Sequence, residues 1–274
     1  MSGWSEVADG VLQRRYEPLD VSVCLVVGAD ELLLVDTRCN PREGAEIRRD
    51  VVEVSPLPLR HVVNTHAHYD HTFGNQAFAT TARIYGHHRI PAHFEEHEGP
   101  RLDAWRADPA AQPHHAWHDV ELVAPQVLVH DPVTVDLGGR AVHLLPLGPG
   151  HTDTDLVVHV PDASTWIVGD VVEESGPPMY GSGSHPFGWP GVLDDLAARI
   201  GPTDVVVPGH GAVVDRAFVL AQAATLGAVA TGLRDGILAG TAHDEIVRLL
   251  CVTTGYPPEI IGPAVTRGAC QLGR

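Results

Sequence analysis

Asn64-Thr65-His66-Ala67-His68-Tyr69-Asp70-His71-Thr72 gathers three imidazoles and a carboxylate into six residues, from His66 to His71. The run before it, His61-Val62-Val63, predicts the end of a buried strand. Thr72, Phe73, Gly74 and Asn75 lead into a mixed stretch that can begin a helix. The four polar groups therefore fall on a strand-to-helix turn, where side chains can converge on one point. Neutral imidazole nitrogen and carboxylate oxygen are the ligands that Zn²⁺ and similar first-row metals take. His66 and His68 are two apart and face the same side of an extended backbone. Asp70 and His71 are adjacent and can serve a second ion beside the first. A lone histidine is usually a surface or satisfied core group, but that account fails for four ligand-type residues packed this closely.

One loop does not complete a metal site, so further ligands are expected elsewhere. Three places fit, each at the end of an apolar run. Residues 142–147 lead into Gly148-Pro149-Gly150-His151-Thr152, Trp166-Ile167-Val168 into Gly169-Asp170, and Val205-Val206-Val207 into Pro208-Gly209-His210-Gly211. In each, β-branched residues give a strand, glycine allows a sharp turn, and one ligand-type residue follows. Four strand ends that deliver His or Asp to one edge describe a site built between sheets.

The set HAHYDH, GHT, GD and PGHG resembles the metallo-β-lactamase-fold hydrolase superfamily, over about residues 20–215. The resemblance implies an α/β fold, a four-layer αββα sandwich of two mainly mixed or antiparallel sheets with helices outside and metals at one edge. It also implies that His66, His68 and His151 hold one metal, that Asp70, His71 and His210 hold the other, and that Asp170 bridges them. The implied cofactor is two Zn²⁺, with Fe or Mn as alternatives. The implied activity is hydrolysis by a metal-bridging hydroxide attacking an ester, thioester, lactone or amide carbonyl. Asp70 is the catalytic candidate, because it can accept a hydrogen bond from the hydroxide while ligating. Asp36 ends a strand near the metal loop in the resembled family and either supports a ligand from behind or caps a turn. An Asp at position 170 is similar to glyoxalase II and general hydrolases, whereas many true metallo-β-lactamases carry Cys in that region. Iron-dependent persulfide dioxygenases share such ligands and remain an alternative, as do β-lactamases and, less favoured, nucleases of the same fold.

Composition agrees with one compact enzyme across residues 1–274, ending in a helical segment over about 216–274. Eighteen basic against 35 acidic residues give a net charge of −17, which argues against a nucleic-acid partner but says little about the substrate, expected to be a small molecule. No basic segment followed by an apolar run opens the chain, and no apolar stretch reads as long enough to span a bilayer. Cys24, Cys39, Cys251 and Cys270 show no C-x-x-C spacing, which fits reduced thiols and a cytoplasmic location. The sequence leaves the oligomeric state open.

Strands are expected over 10–16, 21–27, 31–36 and 83–86, with a helix over 41–54. Residues 127–135 and 140–147 are expected to form a hairpin around Gly138-Gly139. Residues 193–200, 217–238 and 241–253 are expected to be helical. The stretch 89–123, with His93, His97, His114, His115, His118, Trp105 and Trp117, is expected to be a solvated helix and loop rather than another metal site. Residues 173–190 form a long Pro- and Gly-rich loop near the site, where Tyr180, His185 and Trp189 are the candidate substrate contacts.

Overall fold

A computed structural model of the chain describes residues 3–111 and 117–274. His114 and His115 lie outside the described residues. The first half opens with four antiparallel strands, β1 (Ser5–Ala8), β2 (Val11–Tyr16), β3 (Val21–Val27) and β4 (Leu32–Val35). Helix α1 (Pro41–Val54) then carries the chain to β5 (Leu59–Val63), parallel to β4. The single turn α2 (Tyr69–Thr72) precedes β6 (Arg83–His87), parallel to β5. Next come α3 (Ile90–His93), a wide π-type turn (Phe94–Glu98), α4 (Gly99–Ala107) and β7 (Val127–Val129), parallel to β6.

The second half runs antiparallel through β8 (Val133–Asp136), β9 (Ala141–Pro146), β10 (Leu156–Val160) and β11 (Thr165–Glu173). Helix α5 (Trp189–Arg199) crosses to β12 (Val205–His210), parallel to β11. Helices α6 (Arg216–Leu238), α7 (His243–Thr254) and α8 (Pro258–Gln271) finish the chain. Hydrogen bonds run through the strands in the order β7-β6-β5-β4-β3-β12-β11-β10-β9-β8, but one residue pair, His210 with Val21, joins β12 to β3.

Side-chain alternation explains the layers. In β4, Leu33 and Val35 face a cluster shared with Val158, Ile167 and Val207 of the second half. Leu32 and Leu34 point the other way, onto Ile47 and Val51 of α1. A strand apolar at every position is thus buried on both faces. The outer face of the second half packs Val168 and Val171 of β11 against Leu193 of α5, Leu226 of α6, Leu250 of α7 and Ile261 of α8. The order helix, sheet, sheet, helix follows, as the motifs implied. Helix α1 starts where expected because Asn40 accepts hydrogen bonds from the Arg42 and Glu43 amides, with Pro41 in the first turn.

Several local expectations are corrected. Residues 127–129 are a separate strand on the far edge of the first half, and the hairpin at Gly138-Gly139 joins only β8 and β9. The strand carrying Asp170 runs on to Glu173. Helix α8 lies within the helical segment expected over about 216–274, as a third helix beyond the two bounded individually. Residues 89–107 are not simply solvated: Ile90, His93, Phe94, Glu98 and Leu102 are buried, and Trp117 stacks on Trp105 at 4.2 Å in a small core with Phe73. Helix α6, at 23 residues, is long and apolar enough by length and composition to cross a bilayer, contrary to the expectation for the chain. Val219, Leu226, Val229 and Leu233 bury one of its faces against the second sheet and its covering helices.

Candidate metal centre

Both halves contribute to the centre. His66 and His68 leave the end of β5, and Asp70 and His71 lie on α2. His151 comes from the β9–β10 loop, Asp170 from β11 and His210 from the end of β12, beside the pair that joins the halves. Register shifts interrupt the β11–β12 pairing on both sides of Gly169, the second spanning Asp170, and such an irregularity re-aims a side chain. Gly209 is required beside it, because a Cβ there would lie 1.8 Å from Asp170 Oδ1.

The structure brings all seven sequence-selected side chains together. His151 Nε2 lies 3.0 Å from His68 Nδ1 and 3.5 Å from Asp170 Oδ2, which is 3.6 Å from His66 Nε2. On the other side, His210 Nε2 lies 3.4 Å from Asp70 Oδ2 and 3.4 Å from His71 Nε2. Asp170 touches this group too, with Oδ1 3.1 Å from His71 Nε2 and Oδ2 3.3 Å from His210 Nε2. Nitrogen ligands at 2.0–2.1 Å from a tetrahedral ion sit about 3.3 Å apart, so both groups have the spacing a metal needs. His66 Nε2 and Asp170 Oδ1 are buried without a hydrogen-bond partner, as atoms reserved for a cation would be. These His and Asp clusters fit a metal site.

Hydrogen bonds from behind aim the imidazoles. Asp36 is the base of one such set. Its Oδ1 accepts from the Thr65 amide at 2.8 Å, and its Oδ2 accepts from Thr65 Oγ1 at 2.7 Å and His71 Nδ1–H at 2.8 Å. That bond leaves His71 Nε2 for the centre. His210 Nδ1 bonds the Leu19 carbonyl at 2.7 Å, and His68 Nε2 bonds the Ser182 carbonyl at 3.0 Å. Of the two roles open to Asp36, its contacts are those of ligand support.

Burial pulls His66, His68 and His151 below the ordinary imidazole range, His151 to about 3, so their lone pairs are available at neutral pH. Burial acts the same way on His71 and His210, but Asp170 and Asp70 outweigh it and raise both. Burial would raise the two carboxylates; His71 and His210 instead bring Asp70 to about 2 and hold Asp170 well below the usual range. Protons on these two imidazoles therefore occupy the electrostatic role of a cation, and a bound metal would displace them.

His93 and Glu98 form a third group with His68, within 4.8 Å. Their charges are matched by protein: His93 Nδ1 is 3.2 Å from Asp153, and Glu98 Oε2 is 3.2 Å from Arg101 Nε. This group is an ion-pair network behind His68, and no spacing in the sequence marks it.

A cavity of about 370 Å³ opens over the centre, lined by His68, Asp70, His151, Asp170 and His210, with Leu19, Tyr69, Met179 and Ile260 as apolar wall. Tyr180 and Trp189 are buried, with Trp189 Nε1 bonded to the Val171 carbonyl at 3.0 Å and its ring 5.2 Å from that of His151. His185 Nδ1 bonds Gln271 at 2.6 Å. None of these three lines the cavity, and the same loop contributes Ser175, Gly176, Pro177, Met179 and Gly181 instead.

Known proteins resemble this chain. Metallo-beta-lactamase domain-containing protein 1 of Xenopus laevis is 29% identical over 218 residues, 77% of each chain. Metallo-beta-lactamase type 2 of Bacteroides fragilis is 30% identical over 92 residues, 33% of this chain and 37% of that protein. Among solved structures, the stereoselective inverting sec-alkylsulfatase Pisa1 from Pseudomonas sp. superposes with a TM-score of 0.78 at 16% identity, over 97% of this chain and 50% of its own. A metallo-beta-lactamase from Pontibacter korlensis gives 0.62 at 18% identity, over 81% and 98%. At these identities the two structures share the fold alone. A family model of the metallo-beta-lactamase superfamily matches residues 16–210, a span that opens in β2 and closes on His210, so every metal-site side chain lies inside it and the chain belongs to that superfamily.

Proposed function

We propose that the protein is a metal-dependent hydrolase of small molecules, with two ions, zinc in the first instance, held by His66, His68 and His151 on one side and Asp70, His71 and His210 on the other, and with Asp170 shared. The observation that carries the reading is Asp170: its two oxygens lie within 3.1–3.6 Å of four imidazole nitrogens drawn from both groups. When bound, such ions lower the pKa of water toward ~7 and polarise a carbonyl oxygen.

The chain's own groups do the rest. Asp70 would accept a hydrogen bond from the attacking water and hold its second lone pair toward the substrate. Leu19, Met179 and Ile260 exclude solvent and seat the apolar part of an ester, thioester, lactone or amide. No serine or cysteine nucleophile is needed. The cavity's size suits a small molecule, and Arg101 is the one basic side chain among its described lining residues, too few for a nucleic acid.

The test is metal analysis of the purified protein joined to a panel of thioester, lactone, β-lactam and phosphodiester substrates. Chelation is expected to abolish turnover and Zn²⁺ to restore it. Undiminished turnover from protein shown to hold no metal would overturn the reading, and one iron per chain with oxygen consumption would replace hydrolysis by oxidation.

A further inference from the structure

The chain contains no lysine and has a net charge of −17, so an anionic substrate meets a repulsive overall field and any permanent cation on the cavity wall is an arginine. Arg101 is that cation. It lies in the first turn of α4, just after the wide turn that ends at Glu98. Its Nη2 donates to Ser182 Oγ at 2.7 Å, and its Nε is 3.2 Å from Glu98 Oε2. Ser182 Oγ in turn donates to Glu98 Oε1 at 3.1 Å. The guanidinium stands 5.7 Å from the Tyr69 ring centre and 5.4 Å from that of Trp105.

This is a pre-organised fork. Glu98 is fully buried while Arg101 keeps 30% of its side chain exposed on the cavity side. Pairing Glu98 alone would be served as well by a fully buried arginine. A guanidinium has five N–H donors, and among the described residues nothing pairs with the Nη1 edge. Ser182 also fixes where the fork lies relative to the chemistry. Its hydroxyl holds Arg101, and its carbonyl holds His68, one of the metal-site imidazoles.

We propose that Arg101 is a specificity-determining residue that selects substrates carrying a carboxylate close to the scissile carbonyl. This rests on the metal-dependent reading above. The carboxylate accepts paired hydrogen bonds from the guanidinium, a planar match that lysine would not give. The apolar part of the substrate lies along Leu19, Met179 and Ile260. A neutral substrate of the same length leaves the outer Nη1 edge unengaged, with Glu98 still on Nε, and loses that contribution.

The test is calorimetric binding to the zinc-loaded full chain, with turnover measured separately. The probes are the monohydroxamates of glutaric and adipic acid and their carboxamide counterparts. The hydroxamate end is common to all four, so the ratio of carboxylate to carboxamide affinity reports the far end alone. The wild-type protein is expected to favour the carboxylate by about tenfold or more, the worth of one charge-assisted pair. Arg101→Gln is expected to bring the ratio near one, and Arg101→Lys to leave it between the two. An unchanged ratio in Arg101→Gln overturns the proposal, as does a fall in both affinities by the same factor, which would mark a structural role. If no hydroxamate binds the wild-type protein, the metal reading falls and takes this inference with it. If the hydroxamates bind with the expected ratios but no ester is cleaved, the inference stands and only hydrolysis is lost.

Discussion

Asp36→Asn isolates the support behind His71. Asp36 has φ +67°, a left-handed conformation that asparagine tolerates better than most residues, so the backbone is not strained by the change. Asn Oδ1 can still accept from the Thr65 amide. The new NH₂ faces His71 Nδ1, which must now accept instead of donate. Once the ring is neutral its one proton sits on Nε2, the nitrogen 3.1 Å from Asp170 Oδ1 in the centre. The metal must displace that proton and force a donor against a donor. Loss of such a supporting carboxylate costs about 10- to 100-fold in metal affinity, or about 1.4–2.7 kcal/mol. The metal-free protein is expected to be less stable as well, because the charged His71 ring loses the buried carboxylate beside it. The assay is competition for Zn²⁺ against a colorimetric chelator, with thermal melts of chelated protein alongside. Wild-type affinity in Asp36→Asn, with an unchanged melt, would refute the argument that Asp36 sets the His71 tautomer.

Gly209→Ala is expected to remove metal and cost about 1–3 kcal/mol or more, since its Cβ would lie 1.8 Å from Asp170 Oδ1; full metal content by elemental analysis would contradict this. Acid sensitivity follows from His151. Burial takes its pKa to about 3, against about 6.5 unfolded, so the unfolded chain takes the proton first. The stability from the neutral ring is present above pH 6.5 and is lost as pH falls toward 3, amounting to about 2 kcal/mol between pH 7 and 5. In chelated protein, His151→Asn should remove this slope. Parallel denaturation curves for wild type and variant across that range would refute it.

The side chains of the candidate metal centre were legible because each has a local signature. His66 to His71 form a dense run, and His151, Asp170 and His210 each follow an apolar strand and a glycine. The sandwich was legible in β4, whose Leu32 to Val35 run has no polar face. Partners chosen in space were not. Nothing local separates Val127–Val129, paired with β6, from a strand continuing into the next hairpin. The separate bounds of helix α8 hid behind Pro263 and two glycines, Gly262 and Gly268. Arg101 and Glu98 looked like two more charges in a polar stretch, because their meeting with Ser182 depends on the π-type turn and on a loop 81 residues away. In that loop the aromatic residues drew attention, yet Tyr180 and Trp189 are core and the aliphatic Met179 faces the cavity.

A single ladder pair, His210 with Val21, joins the two sheets, and the other backbone links between the halves are isolated loop bonds such as Leu156 N–H to the Thr65 carbonyl at 2.7 Å. Side chains from one sheet's turns and from the other's meet directly beside that seam, so ions bound there would act as rivets. Mechanical and proteolytic resistance of the molecule should then track loading, with the halves breathing apart when stripped and yielding as one body when filled.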